Sequence, residues 1–432
     1  MPLTPRTQPL NANEAAHLLR RTSFGATDAQ IQSLVGQSPL EAAGHLLTFP
    51  ETTLATPFKP LEAVSPGAAV KLAQAAWLRE MVLTPYPLRE RLALLWSNHF
   101  VIGTDKVKNV SALSGYLATL RTHALSTFSD LALAAVRTPA VLHYLDNDKN
   151  KKGKPNENLG RELLELFTLG IGHYSEADVK EGARGLTGWG IQGGLGNKHF
   201  AEAQTFSFVS KQHDGGSKTY LGQHGNFSGE DIVRLAAEHP ATADRVALKL
   251  WRGFVGDAAD SAGQIKLAET FKASGGDLRQ TLSALLSSQE FYASRASIIR
   301  SPVEFVVGAL RASGRTDLGE KAYLNLTGTL GKLGQDLLHP PTVKGWDGGR
   351  EWINDGTLLL RMQVAAALAL GNQTRGNQAL GNQKEEGGQG TSLTTPSALA
   401  LLGTEDIPPA LSKLPPAQRT YLMLVSPEYQ LL

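Results

Sequence analysis

The sequence predicts a mainly α-helical fold: a multi-helix globular body with a small β-ribbon insertion. Apolar residues recur at three- and four-residue spacing along most of the chain, and capping signals precede several of those stretches. Period-two alternation is confined to one short region. With 432 residues the chain can bury a sizeable core, and its length alone suits two or three domains. Hydrophobic residues are 41% and charged residues 19%, the balance of an ordinary globular protein.

In chain order, apolar spacing predicts helices over 11–21, 28–35, 68–83, 88–98, 111–121, 127–137, 157–169, 176–187, 229–237, 240–254, 278–287, 302–312 and 356–370. Ser38-Pro39-Leu40-Glu41 and Ser301-Pro302-Val303-Glu304 are capping boxes. The serine accepts from a free backbone N–H, proline has none to leave unpaired, and the glutamate reaches back to the cap. Ser175 with Asp178 and Ser228 with Asp231 are weaker versions. Within 204–222, Phe206 and Phe208 alternate with polar residues, His213-Asp214-Gly215-Gly216 makes a turn, and Lys218-Thr219-Tyr220-Leu221 follows. That pattern predicts a ribbon inserted at about 200–225. Gly-Asn-Gln repeats from Gly371, Gly376 and Gly381, a composition that cannot build a core. The expected organisation is a helical main domain over 1–370, a flexible linker over 371–393 and a C-terminal helical segment over 394–432.

Composition excludes several functions. Cysteine is absent, which removes disulfides, thiolate metal sites and a cysteine nucleophile. The formal net charge is +2, so nothing draws the chain toward nucleic acid or an anionic membrane. No stretch reaches the roughly 18 apolar residues of a membrane span, and Met1 to Asn13 lacks the apolar core of a signal peptide. A soluble, cytoplasmic protein is the default expectation, with the periplasm open. Gly-x-Ser-x-Gly, His-Glu-x-x-His and dinucleotide fingerprints are missing.

Residues 155–170 carry the most chemistry. Asn156 suits the N-cap, Glu157 the first turn and Gly170 the C-terminal stop. Leu159, Leu163, Leu166 and Leu169 form an apolar face. Asn158, Glu162 and Glu165 share a second face, and Arg161 is four residues from both Glu157 and Glu165. Two readings stand: an amphipathic helix with internal ion pairs, or a polar cleft in which paired carboxylates act as acid and base or bind a divalent cation.

The run Asn156-Glu157-Asn158-x-x-Arg161-Glu162-Leu163-Leu164-Glu165-Leu166-x-Thr168-Leu169-Gly170 resembles the bacterial "domain of unknown function 1800" family. Tyr174, Asp178-Val179 and Leu186-Thr187-Gly188-Trp189 follow in the same order. So do Leu18-Leu19-Arg20-Arg21-Thr22-Ser23-Phe24-Gly25, Trp96-Ser97-Asn98-His99-Phe100, Lys249-Leu250-Trp251 and the stretch from Pro340-Pro341 to Trp352. The resemblance spans about 10–370 and the closing 420–430. Members of that family often carry His where this chain has Phe167, which argues against an obligatory catalytic or metal role there. The resemblance implies no settled activity. It implies a partner from the family of unknown function 1501, which is similar to alkaline phosphatases and sulfatases.

Further candidates lie outside that run. His99 ends a helix and is either a cap or buried hydrogen-bonding residue, or a base or metal ligand facing Glu162. Asp146, Asp148, Asn150 and Glu157 match four positions of a calcium loop, but Lys151 stands where the sharp turn needs glycine. His213 and Asp214 lie on the ribbon turn, as plain turn residues or reaching into a cleft. Trp346, Asp347 and Trp352 lie in a Gly-rich loop, where tryptophans act as core plugs or sugar-stacking platforms.

The expected function is a carboxylate-dependent, hydrolase-like enzyme acting on a saccharide or cell-envelope polymer. Glu162, Glu165, His99 and Asp214 would be catalytic, and Asn158, Arg161, His213, Trp346, Asp347 and Trp352 would hold substrate. The alternative is a non-catalytic assembly protein working with the phosphatase-like partner.

Overall fold

The computed structural model describes residues 2–50, 65–194, 197–256, 261–314, 318–370 and 395–432. The linker expected over 371–393 lies outside the described residues.

Helices begin where the caps foretell. Ser38, Ser175, Ser228 and Ser301 each complete a reciprocal capping box, opening Pro39–Leu46, Glu176–Gly185, Gly229–Ala237 and Pro302–Ala312. Each such cap contributes about 1 kcal/mol. Helices also form over Pro139–Tyr144, Ser261–Ala273 and Glu320–Lys332, which apolar spacing alone did not single out. In the last of these, two internal glycines and two threonines weaken helix propensity. Burial of Tyr323, Leu326 and Leu330 against the Pro66–Leu83 helix overrides that weakness.

The two strands expected in 204–222 exist but do not pair with each other. Thr205–Phe208 pairs antiparallel with Trp189–Gln192, placing Phe206 opposite Ile191. Lys218–Tyr220 pairs with Gln223–Gly225 through Leu221-Gly222, both with positive φ (48° and 75°). That is the twist a two-residue hairpin requires. The reason for the exchange lies in residues 209–217, which are tied to the Glu176–Gly185 helix and its end and do not form a tight turn. Thr187 Oγ1 accepts the Asp214 N–H at 2.8 Å, and Arg184 holds the Asp214 carboxylate. Phe206 meets Trp189 edge-on at 5.4 Å, with the Arg137 guanidinium over both rings.

The C-terminal helices Ala398–Leu402, Pro416–Val425 and Pro427–Gln430 are built into the main body. They pack on Ala12–Thr22, Pro302–Ala312 and Asp355–Leu370, and Leu18, Phe305, Leu368, Leu401, Met423 and Tyr429 share one apolar core. Buried arginines sew this region together through backbone carbonyls. Arg20 donates to Leu402 and Leu431 at 2.7 Å each, Arg21 to Leu432 at 3.0 Å, and Arg300 to Tyr429 at 2.7 Å. These bonds offset the cost of taking guanidinium groups out of water.

A second buried polar knot centres on Glu90 of Pro87–Ser97. It accepts two bonds from Arg121 at 2.8 Å, one from Arg89 at 3.2 Å and one from the Trp77 indole at 3.0 Å. No helix among the described residues is long and apolar enough to cross a membrane.

Candidate functional site

The polar helix is shorter and more irregular than its sequence predicts. An α-helical turn over Asn158–Glu162 passes into a π-helical turn over Leu163–Phe167. The N-cap is Glu157, which makes no side-chain cap bond, and not the expected Asn156; Asn156 lies one residue earlier and accepts the Asn158 N–H at 3.0 Å, and Asn158 itself is exposed. A π turn holds more residues than an α turn, so side chains beyond it leave the row set by the first turn. Arg161 therefore does not pair with Glu165. It binds both oxygens of Glu176, at 2.7 and 2.8 Å, and Glu157 at 3.3 Å. Glu165 instead accepts from the Tyr174 hydroxyl at 3.1 Å. Glu162 is half-buried; desolvation, then the charge of Glu165, raises its carboxyl above the usual carboxylate range, against Arg161 and Lys344.

Carbonyls at the end of the π turn reach two other helices. Leu166 O accepts Arg245 Nε at 2.9 Å, and Phe167 O accepts the His99 Nε2–H at 2.8 Å. Because a carbonyl only accepts, His99 carries its proton on Nε2. Burial, then the Lys249 charge, keeps the ring neutral by lowering its pKa well below the usual value.

Beside these contacts lies a cleft of about 400 Å³. Its walls are the end of the Pro87–Ser97 helix (Asn98, His99), one face of Pro240–Phe254 (Arg245, Leu248, Lys249, Arg252) and the loop from Lys344 to Trp352. Asn98 fixes that loop. Its Oδ1 accepts the Trp346 N–H at 2.7 Å, its Nδ2 donates to Trp346 O at 3.1 Å, and its backbone carbonyl accepts Lys249 Nζ at 2.7 Å. Gly345 makes the approach possible: its φ is +88°, and a Cβ there would sit 2.1 Å from Asn98 Oδ1.

The cleft is cationic. Arg91 is paired with Glu304. Beyond that pair, the described lining holds Arg245, Lys249, Arg252 and Lys344 together with the carboxylate of Asp347, which is exposed. Burial and the neighbouring Arg245 and Arg252 bring the Lys249 ammonium down to about 7.

The residues singled out from sequence are thus divided. His99, Trp346, Asp347 and Trp352 line the cleft. Glu162 and Glu165 do not; they lie next to it, within the fields of Lys344 and Arg245 respectively. Asp214 and His213 belong elsewhere. The Asp214 carboxylate is gripped by Arg184 at 2.8 and 3.3 Å, which holds its pKa down to about 2, and His213 Nδ1 donates to Thr187 O at 2.9 Å. They anchor the 209–217 segment and do not join the cleft.

The calcium-loop candidates are turned to protein partners. Lys106 and Lys149 hold Asp146, at 2.7 and 2.5 Å, and Asp148 faces His143 at 3.2 Å. The Asn150 amide is buried on Asn147 and Ala183 O, and Glu157 pairs with Arg161. Among the described residues no group of three or more His, Asp or Glu side chains is arranged to hold a metal ion.

Sequence reasoning did not place Arg245, Lys249 or Arg252 in the site, although Lys249 lies in a run that carries the family resemblance. The signal was present: like charges at i, i+4 and i+7 form one stripe and repel by a few tenths of a kcal/mol per pair.

No curated protein and no solved structure matches this chain. The family model described as "Protein of unknown function (DUF1800)" matches residues 17–431, nearly the whole length, and the loop, helix end and cationic face that build the cleft all fall inside that match. The chain belongs to the DUF1800 family.

Proposed function

We propose that the protein is an enzyme acting on an acidic organic ligand, best fitted by a sugar acid or an anionic piece of a cell-envelope polymer. One observation carries this reading: Arg245, Lys249 and Arg252 face a cleft whose other wall holds Trp346 and Trp352. The cations neutralise the acidic group; Trp346 and Trp352, each only 8% exposed, are mainly packed plugs of the loop and add a small apolar edge to the wall. Calorimetry and tryptophan fluorescence with glucuronate and glucose test it. Saturable binding of glucuronate, weakened at least tenfold by Arg245→Gln and by added salt, is expected. Equal binding of neutral glucose, or no effect of Arg245→Gln, overturns it.

A second reading keeps the hydrolase-like chemistry on the carboxylates. The half-buried Glu162, its carboxyl raised by burial and by Glu165, has the character of a proton donor, with Glu165 as its partner. The non-catalytic alternative, assembly with a phosphatase- or sulfatase-like partner from the 1501 family, is favoured if Glu162 and Lys249 substitutions both leave function intact.

A further inference from the structure

Lysine is an odd choice between two arginines if the only task is to hold an anion. A third arginine would keep its charge in any surroundings and bind a carboxylate in two-pronged fashion. Lysine differs in one respect: burial and neighbouring cations can strip its proton and leave a nucleophilic amine. Lys249 has those surroundings. It lies one turn from Arg245 and three residues from Arg252 on the cleft-facing side of the same helix. Among the described residues no carboxylate pairs with it, and its Nζ donates to the Asn98 carbonyl at 2.7 Å. That bond fixes the nitrogen of a residue that lines a cleft large enough for a small organic acid. With the ammonium held down to about 7, a large part of the amine is unprotonated near neutrality.

We propose that Lys249 is the nucleophile of this cleft, condensing with the aldehyde or ketone of a small acid whose carboxylate is held by Arg245 and Arg252. The amine lone pair attacks the carbonyl carbon and a C–N bond forms. The carbonyl oxygen leaves as water with both amine protons, and a C=N bond replaces C=O; a solvent proton makes the iminium. No oxidant or reductant is consumed. The proposal rests on the anionic-ligand reading above and narrows it to acids that also carry a free carbonyl, among them open-chain uronic acids.

Reductive trapping tests it. The full chain is incubated with glyoxylate or pyruvate and cyanoborohydride, and its peptides are weighed by mass spectrometry. The expected result is a carboxyalkyl adduct on Lys249 at least tenfold faster than on the exposed Lys344. Lys249→Arg should lose that adduct while its melting temperature stays within a few degrees, and Arg245→Gln should slow it. Labelling of Lys249 no faster than Lys344 overturns the proposal. Calorimetry with lactate, an acid without a carbonyl, separates the two levels. Lactate bound with Lys249 unlabelled leaves the anionic-ligand reading standing and removes the nucleophile; no lactate binding and no labelling removes both.

Discussion

The side-chain amide of Asn98 grips the backbone of Trp346 from both sides, accepting its N–H at 2.7 Å and donating to its carbonyl at 3.1 Å. A side chain at a helix end thereby replaces the strand partner that the 344–352 loop lacks. Asn98→Ala should free the loop, shift tryptophan emission to the red and cost about 1–3 kcal/mol in denaturant unfolding. Gly345→Ala should cost at least as much, because it adds a clash with Asn98 Oδ1 to an unfavourable positive φ. An unchanged emission spectrum in both variants would show that the grip does not shape the cleft.

Glu90 is fully buried among Arg89, Arg121 and Trp77. Removing one partner of such a knot strands the others' charges away from water. Glu90→Ala should destabilise by about 3–5 kcal/mol, read from the urea midpoint. A loss below about 1 kcal/mol would mean that water enters and solvates the arginines.

Asp214 should matter for stability and not for the cleft. Its pKa is held at about 2 by Arg184, against an ordinary 3.8, so its contribution is full above pH 3.8 and fades as pH falls through about 2. Asp214→Asn should lower the melting temperature at pH 7 by a few degrees and leave glucuronate binding unchanged, while at pH 2 the two proteins should melt closer together.

Glu162 works in the opposite direction. Its raised pKa means that the folded chain favours the protonated form, a stabilisation present below the ordinary carboxyl range and lost as pH rises through the shifted value. Glu162→Gln should therefore melt at the same temperature or slightly higher at pH 7. If the second reading holds, turnover falls at least a hundredfold; unaltered turnover retires Glu162 as the acid.

Lys249 imposes a pH slope of its own. With a folded pKa near 7 against an ordinary 10.5, the folded chain binds fewer protons between those values, so stability rises with pH across that window. Lys249→Met should flatten the rise in melting temperature between pH 7 and 10. A slope identical in the variant would place its source at another group.

Much of the helical scaffold was legible because caps and apolar spacing act locally: Ser301 and Glu304 define their helix start whatever packs on it. The strand exchange was not, since pairing of Thr205–Phe208 with Trp189–Gln192 depends on Arg184 holding Asp214, a contact across 30 residues. The site was half legible. His99, Trp346 and Trp352 declared themselves by residue type, whereas the π turn that parts Glu165 from Arg161 has no counterpart in simple periodicity. Lys249 entered only as part of the Lys249-Leu250-Trp251 run, with no role attached, because its hydrogen-bond partner Asn98 is 151 residues away.

The guanidinium group of Arg20 finds its carbonyl acceptors 382 to 411 positions later, and that of Arg21 finds one 273 and another 411 positions later. A ribosome delivers these donors 382 to 411 residues before the C-terminal acceptors. Until they appear, the guanidinium groups of the first helix can be satisfied only by water or by nearer acceptors such as Ser294 O, and its apolar face lacks the C-terminal helices that cover it. The native arrangement of the first helix thus waits on residues 402–432, and nascent chains shorter than that should lean on holding chaperones.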